Sequence, residues 1–374
     1  MVTALVALLL AAGPSTPRVI APREVASNTV TVRFAAHERG VKKLLYRCGI
    51  DGQKPRACTS PSYPRLLPGI HVFRVQAIDP RGRRSRWGRA VVTVLTPTRA
   101  VEVGTSPVAI AYDGTSVWTA DFGAGTATRV DADALSVSSV RVGGTPGGIA
   151  AAAGSIWVGD FALDGALTRI DPATKQVTGR VETTAQPSGL LGDGDTLWVA
   201  DYSGGVLRVD ARSGRIVARI PIGGNPEALA LGFGLLWVTN HDGTISTIDP
   251  VTNGVVGGVI AGDKADKDVD AVAIGDESAW ATSFAGKTLL QIDPASRRVV
   301  RRIPLGGAGG GVVVAAGSVW ASVYDKEMVL RIAPKTGALV QRVRVGAGAR
   351  ELVYDGGAIW VACQKANAVS RINP

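Results

Sequence analysis

Three residues whose types could do chemistry, Glu227, His241 and Asp270, sit in a chain where most neighbours repeat and these do not. A lone imidazole between carboxylates can exchange protons near neutral pH, and a carboxylate pair can hold a cationic group. Arg350 and Glu351 interrupt the same pattern further along. Asp121, Asp160 and Asp201 form a second, periodic set, each three residues after a tryptophan, and the last is followed by Tyr202. Carboxylates and ring faces around one opening suit a polar ligand such as a protein, peptide or carbohydrate, or a cation-bearing metabolite. The periodic aspartates have an alternative role, since a repeated Asp can cap the turn backbone.

An insertion, "AGDKADKDVDAV", adds a third set, in which Asp266, Asp268 and Asp270 alternate as in a calcium loop and Glu277 stands at the twelfth position. Ala271 occupies the place where that motif's turn needs glycine. The expectation is therefore a looser divalent-cation site on two or three of these aspartates, not an EF-hand.

What must position these residues is a repeat. Trp118, Trp157, Trp198, Trp237, Trp280, Trp320 and Trp360 are spaced 39, 41, 39, 43, 40 and 40 apart. Eight residues before each stands an aliphatic: Ile110, Ile149, Leu190, Leu229, Val272, Val312, Leu352. Each unit reads as four short strands, and a sheet of that size cannot bury both faces alone, so the units must stack around an axis. The seventh unit has three strands before Pro374. The piece 98–104, "TRAVEVG", resembles the missing fourth and is expected to pair with it, closing the ring. The expected fold is all-β: a seven-bladed β-propeller over 98–374. Entries to the first strands (Val108, Gly147, Ser188, Glu227, Asp270, Gly310, Arg350) would surround one mouth. So would the residues that follow the second strands (Phe122, Phe161, Tyr202, His241, Phe284, Tyr324, Gln364).

Segments such as "PVAIAYDGTSVWTADFGAGTATRVD" and "PSGLLGDGDTLWVADYSGGVLRVDARSG" resemble the bacterial propellers that include YVTN-repeat, NHL-repeat and streptogramin (virginiamycin B) lyase-like proteins. That resemblance implies either a binding propeller or a metal-assisted C–O lyase acting at the ring opening. The lyases use paired His with a Glu; here the repeats hold His241 alone, and "WVAD", "WVTN" and "WATS" replace the lyase text. The expectation is a binding protein, with the lyase as the alternative and no catalytic residue assigned.

Ahead of the repeats, "NTVTVRFAAH", "GIHVFRVQAID" and "RAVVTVLT" alternate as strands between Gly/Pro turns, which suggests a β-sandwich over 14–97. "YRCGIDGQKPRACTSPSYPRLLPGIHVFRVQAIDPRG" resembles bacterial immunoglobulin- or fibronectin-III-like modules. Cys48 and Cys58 flank a turn and are expected to form a disulfide. Residues 1–13 read as a signal-peptide core, too short to span a bilayer, so the chain is expected to be secreted or held in the cell envelope. The net charge of +10 is local: 17 of 41 Lys+Arg but only 4 of 31 Asp+Glu lie between 13 and 100, leaving 24 basic against 27 acidic residues elsewhere. That front half is a candidate for anionic cell-envelope polymers or nucleic acid.

Overall fold

The computed structural model describes residues 13–22, 24–25, 29–59, 61–64, 66, 69–94, 98–260 and 268–374. The expected signal segment up to residue 12, and Asp263 and Asp266 of the insertion, lie outside them. The described residues fall into two compact units divided between 96 and 97. Among them there is no α-helix, only a 3₁₀ turn at Gln364–Ala366, and no helix long and apolar enough to cross a membrane.

In the first unit, strands β1 (Arg18–Ile20), β2 (Glu24–Val25), β3 (Val30–Thr31), β4 (Arg33–Ala35), β5 (Leu45–Ile50), β6 (Arg56–Cys58), β7 (Ser62–Tyr63), β8 (Gly69–Ile78) and β9 (Gly88–Val94) form three sheets. One has five strands in the order β2-β9-β8-β5-β6; β1–β4 and β3–β7 are pairs. The alternation read from sequence works as the period-2 rule requires. Phe73, Val75, Ala77, Val92 and Val94 face a common core with Val30, Val32 and Ile50. The Cys48–Cys58 disulfide joins β5 to β6.

The second unit starts with β10 (Arg99–Glu102). Strands β11 (Pro107–Tyr112), β12 (Ser116–Asp121), β13 (Thr126–Asp131) and β14 (Val137–Arg141) make an antiparallel sheet paired in chain order. The arrangement recurs as β15–β18 (146–185), β19–β22 (187–221), β23–β26 (226–260), β27–β30 (269–304) and β31–β34 (309–344). The last sheet takes β35 (Ala349–Tyr354), β36 (Ile359–Cys363) and β37 (Ala368–Ile372) from the end of the chain. Its outer strand is β10, which runs antiparallel to β37 with Val101 opposite Val369.

The repeated tryptophans hold the sheets together. Each lies on the second strand of its sheet, at most 1 % exposed, and packs on the sheet that follows. Trp118 clusters with Ile149 and Ile156, Trp198 with Leu236 and Val238, and Trp360 with Ile110, Val117 and Val130 of β11–β13. Sheets with one apolar face each would otherwise expose it; the indole fills the widening gap between neighbours. Burying ~200 Å² of ring contributes ~5 kcal/mol by area. The aliphatics eight residues earlier stand on the innermost strands. All seven line one narrow axial cavity of about 190 Å³.

Candidate functional site

The mouth above that channel is built by two repeated backbone devices. The first is a hydrogen bond: the residue after each second strand donates its N–H to the residue just before the first strand. Phe122 donates to Ser106, Phe161 to Thr145, Tyr202 to Gln186, His241 to Asn225, Phe284 to Asp268, Tyr324 to Ala308 and Gln364 to Gly348. These bonds draw the two rings of residues read from sequence into one collar. The second device is a β-bulge at the entry of every first strand, for example between Pro226 and Leu229, Val269 and Ala271, and Ala349 and Leu352. A bulge re-aims a side chain out of the strand's alternation. Here the bulged positions carry Glu227, Asp270, Arg350 and Glu351.

The resulting cavity, about 240 Å³, is lined by Glu227, Asp270, Arg350, Glu351, Ser188 and Gln364 among others, with Phe122 and Phe161 at its rim. Glu227, His241 and Asp270 each offer a ligand atom within 4.8 Å of the others. His241 Nε2 lies 3.4 Å from Glu227 Oε2, and its Nδ1 lies 3.6 Å from Asp268 Oδ1. These are ion-pair separations out of hydrogen-bond alignment, so the buried Nε2 has no hydrogen-bond partner among the described residues. The edge of the Tyr202 ring meets the imidazole at 5.3 Å between centroids, and Phe161 continues the stack at 5.5 Å. Across the mouth, Arg350 reaches Asp270 at 3.9 Å and lies over the ring of Tyr324.

Electrostatics follow from burial and crowding. Burial, with Glu227 and Asp268 nearby, pushes the Asp270 carboxyl up to about 6 against the pull of Arg350 and His241. Glu351 stands at the boundary with the apolar channel and shares Ala271 and Gly311 with both cavities. Its desolvation raises it to about 7, although the Ile110 N–H donates to Oε2 at 3.1 Å. The contact with Glu227 raises His241 above the usual imidazole value, against its own desolvation. The collar therefore carries protons that a cation could displace.

The periodic aspartates take another place. Asp121 is fully buried and accepts from the hydroxyls of Thr119, Thr126 and Thr128 at 2.6–2.8 Å. Asp160 accepts from the Thr145 N–H and hydroxyl, and Asp201 from the N–H groups of Gln186 and Ser203. Asp160 and Asp201 tie the loop entering their sheet to its second strand, Asp121 ties the second strand to the third, and none lines the mouth. Of the insertion's aspartates, Asp268 and Asp270 flank His241, so the described part of the expected cation site merges with the collar. Sequence reasoning missed Lys365, whose ammonium lies 4.7 Å from the Tyr324 ring centre. Its only signal was a cation following Gln364 where no other unit has one. The bulges had no signal, because glycine or a polar residue at these entries is equally compatible with regular strand.

No family model matches the chain, and no curated protein matches it by sequence. Among solved structures, it is similar to a streptogramin B lyase with a TM-score of 0.64 at 13 % identity, over 74 % of this chain and 97 % of that one. It is also similar to hydrazine synthase of Kuenenia stuttgartiensis, with a TM-score of 0.61 at 17 % identity, over 75 % and 97 %. At such identities the likeness is one of fold: an all-β, multi-bladed propeller.

Proposed function

We propose that the chain is an exported binding protein: an immunoglobulin-like module over 14–97 ahead of a seven-bladed propeller over 98–374, of the YVTN/NHL/streptogramin-lyase-like kind. Its recognition site is the mouth, and its ligand is a small polar molecule, or the exposed group of a peptide or glycan, that carries a cationic nitrogen. The observation behind this is the collar itself. Glu227 and Asp270 gather at the His241 imidazole, whose Nδ1 faces Asp268, while Glu351 lines the same cavity and the Arg350 guanidinium stands opposite. A ligand ammonium would displace the protons held by Asp270 and Glu351, while its apolar body lies on Phe122 and Phe161. Calorimetry of the full chain against amine-bearing peptides and amino sugars tests the reading. Glu227→Ala with Asp270→Ala is expected to weaken binding at least tenfold, and unchanged affinity removes the site from the mouth.

A second reading is favoured by one observation, the mutual reach of Glu227, His241 and Asp270, which together fit a divalent cation by donor type. With the fold likeness to a streptogramin B lyase, this would make the mouth a metal-assisted C–O lyase site, Asp268 being an added ligand. A bound cation would polarise a substrate carbonyl there. His241 would stay a ligand of that cation, and Glu351, with its raised carboxyl, would supply the proton to the departing oxygen. Titration with manganese separates the two readings: submillimolar binding lost in His241→Ala favours the metal site, and no binding leaves the amine ligand.

A further inference from the structure

The first unit carries a sheet face that mixes exposed arginines and apolar side chains. On the five-stranded sheet the core face holds Phe73, Val75, Ala77, Val92 and Val94, so the alternate residues face outward. Strand register orders them in rows across β9, β8 and β5. Val91 lies opposite Val72, Arg89 opposite Arg74, Gln76 opposite Arg47, and Ile78 opposite Leu45. Arginines thus cross the middle of the face, with apolar side chains above and below them.

Two like charges directly opposite on one face are unfavourable, and no ion pair among the described residues relieves this one. Arg74 and Arg89 are exposed and have no ion-pair partner among the described residues. Three of the unit's four acids are engaged elsewhere. Asp79 and Glu38 both hold Arg83 at 2.6 Å, and Asp51 holds His71 at 2.6 Å and accepts from the Val72 N–H. The fourth, Glu24, is placed on β2 opposite Thr93, four residues along β9 from Arg89. Arg47 is the exception among the three outward arginines, donating to the Pro55 carbonyl. The flanking apolar groups are equally unserved: Leu45 is 62 % exposed, Val91 44 %, and Trp87, at the entry to β9, 39 %.

We propose that this outer sheet face, centred on the Arg74–Arg89 pair, docks on an anionic phospholipid surface. Phosphate headgroups supply the charge that the pair lacks. The acyl boundary takes Leu45 and Val91, and Trp87 is of the type that settles at the interface between them. A soluble polyanion would answer the arginines but leave the apolar rows in water. The proposal concerns the first unit and is independent of what binds the mouth.

Flotation of the full chain with phosphatidylcholine vesicles, with and without phosphatidylglycerol, tests it. Binding is expected only to the anionic vesicles and to weaken with salt. Arg74→Ser with Arg89→Ser should lower the partition coefficient on the order of 25-fold, while Arg74→Lys with Arg89→Lys retains most of it. Leu45→Ser with Val91→Ser should weaken binding further at high salt, where the charge is screened. Thermal unfolding of each variant checks the fold. Equal binding to neutral vesicles, or no effect of the serine pair, overturns the proposal. So does inorganic polyphosphate binding as tightly per phosphate as the vesicles with no effect of the apolar variants; that outcome assigns the face to a soluble polymer.

Discussion

The aspartates that end the second strands of the first three repeats and the acids at the bulged first-strand entries of later repeats belong to one repeated framework, yet they live in opposite circumstances. Asp121 has every oxygen answered by a neighbour within its own sheet, three threonine hydroxyls in all. Glu227, Asp270 and Glu351 face one another across a cavity, answered by one imidazole, one guanidinium and one backbone N–H. The periodic residue belongs to the device that repeats, a carboxylate that ties the end of the second strand to its neighbours. The unrepeated residues stand where that device leaves a side chain aimed at the axis. In a repeat protein the departures mark the site, because the repeat already satisfies itself.

The largest effect expected along this divide belongs to the clamped side. Trp198→Ala should cost about 3–5 kcal/mol in chemical denaturation, since the indole fills the gap to the next sheet and the space cannot collapse fully. Asp121→Ala should cost about 2 kcal/mol by removing the shared acceptor of Thr119, Thr126 and Thr128. Glu227→Ala should change stability by less than about 0.5 kcal/mol, because it relieves like-charge crowding as it removes the His241 contact. A costly Glu227→Ala would erase the distinction between the two sets.

Proton linkage sharpens it. Asp270 and Glu351 are raised in the folded state, so folding takes up protons there. Their unfavourable contribution is absent below the unfolded value near 4 and fully present above about 7. His241, also raised, adds stability that is present below its unfolded value and lost as the pH rises through the folded one. Both act in the same direction. Taking the chain from about pH 8 to pH 5 should stabilise the second unit by roughly 4 kcal/mol, and Asp270→Asn with Glu351→Gln should flatten that dependence. A curve unchanged by the pair would mean that the collar is solvated like an ordinary surface.

The smallest effect separates the tryptophans themselves. The ring nitrogens of Trp118 and Trp360 donate to Asp113 and Asp355, whereas those of Trp157 and Trp198 have no partner and lie beneath Arg169 and Arg208. Asp113→Ala is expected to cost about 1–2 kcal/mol, and Arg208→Ala about 0.5–1 kcal/mol, the range of a partly exposed cation over a ring. Paired denaturation curves check both.

By itself the sequence determined the repeat: the tryptophan period, the aliphatics eight residues ahead, the alternation of the first unit and the cysteines that pair in it. These are short-range properties, fixed by strand period and burial, and they carry the all-β architecture. It also marked Glu227, His241, Asp270, Arg350 and Glu351 as departures. Only the tertiary structure decided which carboxylates face the axis. That choice rests on bulges that shift register by a residue or two and on N–H bonds from one strand end to the next strand's start, neither of which leaves a residue preference to read. Why Glu351 holds its proton was likewise invisible, because its desolvation comes from a channel assembled by strands of every sheet, and no local segment contains that channel.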